Sequence, residues 1–153
     1  MRGGQGKGLI ILLLVVMVGI ASTVYILYIL SPERQAEKAV DSFYTFEQDG
    51  AFSSSWAMFH PFMQEKFDKA HYIQDRAHVF MNHLGVTTFS FTIDDTQEIR
   101  NWKIDKDREA IDIVYNVTVA QHYQGKYGNF TLVQNVYATK LEGEWRLLWD
   151  YKK

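Results

Sequence analysis

The sequence predicts an α+β domain held behind one transmembrane helix, and three observations lead to this fold class. Residues 9–30 form a run without a single charged side chain. After this run, apolar residues recur at helical spacing to about residue 85, and from Val86 onward they alternate with polar residues as strands require. Helices followed by a run of antiparallel strands are typical of the α+β class.

The uncharged run from Leu9 to Leu30 is long enough to be a membrane anchor. At about 1.5 Å per residue, some twenty helical residues cross the roughly 30 Å apolar layer of a bilayer. Arg2 and Lys7 precede the run with no acid near them, and positive charge stays on the cytoplasmic side. The predicted organisation is therefore a cytoplasmic tail at residues 1–8, an anchor at residues 9–30 and an extracytoplasmic domain at residues 31–153.

A cleaved signal peptide is the alternative interpretation of the same run. Its apolar core would be Leu9–Ile20, with a small-residue cleavage site at Ala21–Thr23. However, such cores are usually about 7–15 residues long, and this one continues to Leu30. The length favours an anchor that is retained.

Composition limits the partners of the outer domain. The chain has 16 basic and 18 acidic residues, and two of the basic ones precede the anchor, which leaves 14 against 18. A mildly acidic domain with mixed signs is a poor candidate for binding nucleic acid. The chain contains no cysteine, so it has no disulfide framework, and its 15% aromatic content fits a sheet-rich core.

The first helix of the outer domain is predicted from Pro32 to about Asp49. Ser31 and Pro32 suit its first positions, and Gly50 suits its end. The spacing predicts an amphipathic helix that must pack on another element. Its expected buried face comprises Ala36, Val40, Phe43 and Glu47, widened by Ala39, Tyr44 and Phe46.

Two further helices are predicted before the strands. Phe52, Trp56 and Phe59 mark a short helix that ends at His60, because the residue before a proline avoids the helical region. A turn is expected at Phe62–Phe67, and Asp68 then caps a third helix that runs to Leu84. The buried stripe expected on this third helix is Ile73, Ala77, Phe80 and Leu84.

The remainder of the chain predicts an antiparallel meander, strongly curved around the long helix. The expected strands cover residues 89–93, 97–104, 111–124, 130–141 and 145–149. The alternation slips between Val133 and Ala138, which indicates either a bulge or a strand covered on both faces.

The closing hairpins resemble a nuclear-transport-factor-2-like domain, a cone of about three helices on a curved antiparallel sheet. The residues concerned are Tyr115–Tyr151, with a long strand, a return strand carrying Tyr137, and the final strand Trp145–Asp150. This stretch is similar in particular to the non-catalytic amino-terminal domain of class B penicillin-binding proteins. That resemblance implies a bacterial cell-surface domain, a partner or regulator in cell-wall assembly.

The sequence departs from that family in its chemistry. The Ser-x-x-Lys nucleophile motif and the Lys-Thr-Gly motif of the transpeptidase are absent from the chain. Acyl transfer of that kind is therefore not expected of these residues.

Cone domains usually have a mouth between the long helix and the sheet. The residues expected to line it are Tyr44, Trp56, His60, Tyr115 and Trp149. His60 is a general base if an acid fixes its tautomer, and otherwise it caps the end of the short helix that stops before Pro61. The capping role is favoured, because no inward acid is identifiable on the strands and Asp112 points outward if Tyr115 points inward.

A metal site is not expected. His71, Asp75 and His78 share one helical face at a spacing that zinc can use. No further strong ligand accompanies them, and a solvated polar face explains them better. We therefore expect neither a metal nor a cofactor.

Three hypotheses for the function follow. The first is a non-enzymatic, single-pass membrane protein whose outer domain binds a protein partner or a cell-wall ligand. The second is an enzyme or small-molecule binder, which a carboxylate near His60 in a polar cavity would favour; a mouth closed by Trp56, Phe59 and Trp149 would favour the first. The third is a subunit of a secretion or conjugation assembly, which homo-oligomerisation would favour. The sequence leaves the oligomeric state open.

Overall fold

The computed structural model describes residues 4–83, 85–86 and 88–150. The chain divides into two compact units, Met1–Gln35 and Ala36–Lys153, which we describe separately. In the first unit, α1 spans Gly4–Ile29, and its segment Lys7–Ile29 is long and apolar enough to cross a membrane. The prediction of an apolar helix near the N-terminus that could span a bilayer is thus confirmed.

The few polar side chains inside α1 are satisfied within the helix. The Ser22 hydroxyl donates to the Val18 carbonyl at 2.8 Å, and the Thr23 hydroxyl donates to the Gly19 carbonyl at 2.9 Å. These bonds remove the cost of placing a hydroxyl in hydrocarbon. The helix is therefore compatible with lipid over its whole apolar length.

The long helix of the outer domain, α2, spans Pro32–Gln48, as predicted, and Gly50 follows it with φ of 71°. This left-handed conformation suits glycine at a helix end. The prediction for Phe46 is wrong, because its ring is exposed at the margin of the face that packs on the sheet. The buried residues are Ala36, Ala39, Val40, Phe43, Tyr44 and Glu47.

The short helix α3 spans Phe52–Ala57, and a further helix, α4, spans Pro61–Lys66. The expected turn at Phe62–Phe67 is therefore wrong. His60 is the N-cap of α4, and its Nδ1 atom accepts a hydrogen bond from the Phe62 N–H at 3.2 Å, while Pro61 takes the first helical position. A capping residue followed by proline is a pattern that begins a helix, whereas the sequence prediction placed only a helix end at His60.

The next helix, α5, spans Lys69–Ala77 and is capped by Asp68, whose carboxylate accepts from two backbone N–H groups. The prediction that it continues to Leu84 is not met, because a π-helix, His78–His83, follows it directly. The expected stripe omits Tyr72, which is the buried residue of α5. Ile73 is half-buried and packs against the core, and Ala77 is half-buried. Residue 84 and the Phe80 side chain lie outside the described part of the chain.

Four antiparallel strands form one sheet in the order β1-β2-β3-β4, which confirms the meander. The strands are β1 at Phe89–Trp102, β2 at Ile111–Gly125, β3 at Gly128–Leu141 and β4 at Glu144–Trp149. In the β3–β4 turn both residues have positive φ, 52° at Glu142 and 88° at Gly143, as a tight hairpin requires. In the other hairpin, Gly128 has φ of 116° and begins β3 directly after the turn at Lys126–Tyr127.

Two details of the strand prediction change. The two strands expected at residues 89–93 and 97–104 are the single strand β1, whose pairing with β2 shifts by one residue between Ile93 and Thr96. The extra residue is a bulge, which keeps the ladder going but reverses the faces beyond it. The slip predicted in β3 is not a bulge, because its pairing with β2 is uninterrupted and residues 136–139 are all buried.

The core lies between α2 and the sheet, and the helical segments are fastened to β4. The Tyr44 ring lies 5.6 Å from the Phe91 ring. The His60 N–H donates to the Leu147 carbonyl at 2.9 Å, and the Leu147 N–H donates to the Met58 carbonyl at 2.9 Å. These bonds hold the connection between α3 and α4 against the last strand.

Candidate functional site

Aromatic rings fill the region where a mouth was expected. The Trp149 ring packs 4.8 Å from Phe59 and 5.8 Å from Phe43, measured between ring centroids. Phe67 and Tyr72 complete this aromatic cluster at 6.1 and 6.2 Å from Trp149. Rings at these separations are in ordinary packing contact, so the cluster is a core feature.

Two of the expected mouth residues are tyrosines buried against the sheet. The Tyr44 hydroxyl donates to Gln134 Oε1 at 3.0 Å, and burial raises the pKa of this phenol. The Tyr115 hydroxyl donates to the Glu98 carboxylate at 3.3 Å, and its ring lies 5.8 Å from Trp145. The Tyr44 phenol is therefore held as a neutral donor.

The other two expected mouth residues are held at helix ends. The Trp56 indole N–H donates to the Phe67 carbonyl at 2.8 Å. The His60 ring packs 4.5 Å from Phe62 and caps α4, which supports the capping role over the general-base role. Burial and the nearby Arg146 lower the pKa of His60, so the ring is neutral at pH 7.

The structure therefore unites only part of the predicted set. Tyr44 and Trp149 lie in one connected region of the core, and Trp56 reaches it through Phe67. His60 and Tyr115 each contact other neighbours. None of the five lines either of the two cavities described below.

A buried ion pair is the most prominent polar feature of the interior, and it was not predicted from the sequence. The Glu47 side chain is fully buried, and Arg76 of α5 is bound to it through two guanidinium nitrogens, with Nε 2.6 Å from Oε2. The Tyr72 hydroxyl donates to Glu47 Oε1 at 2.7 Å, and the Ser55 hydroxyl donates to the same oxygen. Both carboxylate oxygens are therefore engaged.

The electrostatics of this cluster favour a structural role. Burial, together with the Glu47 charge, raises the pKa of Tyr72, and burial likewise raises the pKa of Tyr123. Burial opposes the charge on Arg76, but the charge and hydrogen bonds of Glu47, together with Tyr72 and Tyr123, outweigh it, so the pKa of the guanidinium is raised. The charged pair and the neutral hydroxyls satisfy one another, which is the condition under which a buried charge is tolerated.

The sequence indicated one of the two members of this ion pair. Glu47 falls on the apolar face of its helix, three and four residues beyond Tyr44 and Phe43, where a lone acid needs a partner. No local pattern identifies Arg76 as that partner, because 29 positions separate the two. The contact between Glu98 and Tyr115 was not predicted either, because Glu98 comes opposite Tyr115 only through the bulge in β1.

A surface depression, which we call the hairpin groove, lies at the end of the sheet where β2 turns into β3. Its volume is about 650 Å³. The Phe89, Tyr123 and Phe130 side chains form a row across three paired strands, with Tyr123 and Phe130 stacked at 4.8 Å. The complete lining is Gln48, Gly85, Thr88, Phe89, Ser90, His122, Tyr123, Gln124, Asn129, Phe130 and Thr131.

The chemistry of the hairpin groove is polar and uncharged. Apart from His122, its lining residues carry amides, hydroxyls, aromatic rings or no side chain. The His122 ring nitrogen Nδ1 lies 3.0 Å from the Thr131 hydroxyl. Amides and hydroxyls offer both donors and acceptors, so the groove suits an uncharged ligand rich in hydroxyl or amide groups.

A smaller cavity of about 380 Å³ lies elsewhere on the outer domain, against α4. Its lining is Phe62, Glu65, Lys66, Asp105 and Arg108. Arg108 donates to Glu65 at 2.7 Å and lies over the Phe62 ring at 4.9 Å. Because Arg108 of the β1–β2 loop pairs with Glu65 of α4, the cavity is better explained as a surface contact between these two segments than as a ligand site.

The zinc-compatible spacing on α5 does not gather a ligand set. Within the described residues, no group of three His, Asp or Glu side chains is arranged to hold a metal ion. The His71 side chain is 82% exposed and lies 3.4 Å from Asp68, its own capping residue. The solvated face is the better explanation, as the sequence indicated.

No protein-family model matches the chain, and a search of curated proteins finds no match.

Proposed function

We propose that this protein is a single-pass, membrane-anchored, non-enzymatic binding protein whose outer domain engages a protein partner or a cell-wall ligand outside the cytoplasm. The observation that carries the proposal is the packing of aromatic rings where a mouth was expected. Trp149, Phe43 and Phe59 occupy the place of a mouth, and the buried carboxylate of Glu47 is consumed by its own donors. Recognition must then use the surface.

The cone architecture is part of this proposal. Helices that precede a four-stranded meander, with α2 packed on the sheet, are the element order of the nuclear-transport-factor-2-like domain that the closing hairpins resemble. In the same proposal, the amino terminus lies in the cytoplasm and the domain faces outward. The anchor then acts by position, because it confines the domain to the membrane plane and raises its local concentration there.

The hairpin groove is the surface we propose for the ligand. Apart from His122 its lining has no acidic or basic side chain, which favours an uncharged glycan over an anionic phosphate or a basic peptide. The Phe130 ring, 38% exposed, offers a flat apolar face, and Gln124 and Ser90 offer hydrogen-bonding groups beside it. A neutral polymer of N-acetylated sugars has both features.

The test uses the full chain in nanodiscs and the N-acetylglucosamine tetramer as the probe. Saturation-transfer NMR should show contact between the probe and the wild-type protein, and the signal should fall strongly in Gln124→Ala. The matched control is Gln97→Ala, which removes an exposed glutamine of β1 outside the groove. No transfer to the wild-type protein, or equal loss in both variants, would refute the glycan proposal and leave a protein partner as the first candidate.

A further inference from the structure

The strand β3 has a free edge over half of its length. β3 is 14 residues long, whereas its neighbour β4 has only 6 and pairs with Val136–Leu141. On the side away from β2, no strand of the described part of the chain pairs with residues 128–135. We call this segment the open edge.

The register shows which backbone groups point outward along the open edge. Gly125 and Gly128 close the two-residue turn between β2 and β3, and hydrogen-bonded pairs alternate along antiparallel strands. Even-numbered residues of β3 therefore bond to β2, and odd-numbered residues point the other way. The second hairpin agrees, because Leu141 and Glu144 close its turn and direct the odd-numbered residues of β3 to β4. The outward-pointing backbone groups of the open edge belong to Asn129, Thr131, Val133 and Asn135.

Nothing in the sequence of the open edge protects it. Natural sheets usually guard an edge strand with a lysine, a proline, a bulge or a covering loop. The sequence GNFTLVQN contains no charge and no proline, and its pairing with β2 is regular. Its apolar side chains are also solvated: Leu132 is 46% exposed and Val133 is 63% exposed.

We propose that the open edge pairs with the same edge of a second copy of this chain, in antiparallel register centred on Leu132. In this register Thr131 pairs with Val133 of the other copy and Asn129 pairs with Asn135, so all four outward-pointing residues are used. About eight backbone hydrogen bonds result, whereas a register centred one residue to either side leaves one of the four unpaired. The two four-stranded sheets then join into one sheet across a two-fold axis.

The side chains are compatible with themselves in this register. On one face, the two Leu132 side chains meet across the axis with Phe130 beside them, and both are now solvated. On the other face, each Val133 packs on a Thr131 methyl, and Asn129 meets the Asn135 amide. No like charges face one another, because the segment has none. A self-complementary neutral edge on a membrane-confined protein favours a second copy over an unrelated strand.

The absence of cysteine makes the register directly testable. In the full chain reconstituted in lipid vesicles, Leu132→Cys should form a disulfide-linked dimer under mild oxidation. Val133→Cys is the matched control, since its side chain is more exposed but its counterpart is two residues out of register. We expect roughly tenfold more dimer at residue 132, because opposed Cα atoms lie about 4.5 Å apart and diagonal ones about 7–8 Å, beyond disulfide reach.

A second variant separates edge pairing from association of the membrane helices. Val133→Pro removes an N–H that points outward, so pairing with β2 should survive and the dimer should be lost in detergent at low protein concentration. Equal or greater cross-linking at residue 133, or a dimer that persists in Val133→Pro, would overturn the proposal. The inference goes beyond ligand binding. The open edge shares Asn129, Phe130 and Thr131 with the hairpin groove, but the two tests use different residues, because Gln124 lies outside the open edge and residues 132 and 133 lie outside the groove lining.

Discussion

Replacing Arg76 by leucine should be among the most damaging single changes in the outer domain. The substitution leaves the Glu47 carboxylate fully buried, with only the Ser55 and Tyr72 hydroxyls as donors. Breaking a buried ion pair on one side typically costs about 3–5 kcal/mol, because a charge is stranded away from water. The exposed fraction of Glu47 is zero, so we expect Arg76→Leu to lower the free energy of unfolding by about 3–5 kcal/mol.

The assay is denaturant unfolding of the full chain in detergent, followed by tryptophan fluorescence. Trp149 suits this readout because Arg76 lies 6.0 Å from the centre of its ring. The matched control is Arg100→Leu, which removes the same side chain from an exposed pair with Glu98, where Arg100 is 72% exposed. Exposed pairs contribute about 0–1 kcal/mol, so this control should lie close to the wild-type protein.

A second substitution in the Arg76→Leu background checks the cause. Glu47→Gln removes the stranded charge while retaining an oxygen that accepts hydrogen bonds, so it should recover about 1–3 kcal/mol of the loss. Recovery by a change that is itself destabilising in the wild-type protein would be direct evidence of coupling. If Arg76→Leu and Arg100→Leu cost the same within about 1 kcal/mol, the pair is not stranded by the substitution, and the reasoning from burial fails.

Two further predictions concern pH and the anchor. Burial, followed by the Arg146 charge, lowers the pKa of His60 in the folded state, so the unfolded chain takes up this proton first. The stability that His60 contributes is complete above its ordinary pKa of about 6.5 and declines as the pH falls towards the folded-state value. Unfolding curves at pH 7 and pH 5 should therefore differ more in the wild-type protein than in His60→Asn, a variant that keeps a capping side chain. An equal pH dependence in both proteins would show that His60 does not titrate on unfolding. The full chain should also resist extraction from membranes by alkaline carbonate and should retain Lys7–Ile29 when its mass is measured, whereas a mature protein trimmed near Ala21 would identify a signal peptide.

The elements that sequence predicted best are those set by local chemistry. Gly50 and Asp68 mark helix ends through the conformation and the side chain that such ends require, and both do so in the structure. The β2–β3 and β3–β4 hairpins follow from alternation and from glycine-containing turns. The failures arise where local cues were ambiguous, as at His60-Pro61, which both ends one segment and begins α4.

The candidate sites were less predictable because they depend on contacts between distant residues. Tyr44 and Trp149 were expected to line a mouth, and both rings contact Phe43. The sequence does not indicate whether such rings line a mouth or fill it. Here they fill it. A one-residue bulge in β1 also reverses the faces of the strand, so Glu98 reaches Tyr115 although strict alternation does not predict it.

The open edge shows that a tertiary feature can nevertheless be latent in sequence. The turns at residues 126–127 and 142–143 fix where β3 begins and ends. Among the described residues, β3 has 14 residues and β4 has 6, so no described strand lies beside residues 128–135 on the side away from β2. Because residues 128–135 contain neither charge nor proline, the sequence does nothing to discourage another strand there. We therefore expect this domain to bind another molecule through the unequal lengths of β3 and β4, which leave the open edge, rather than through a reactive side chain.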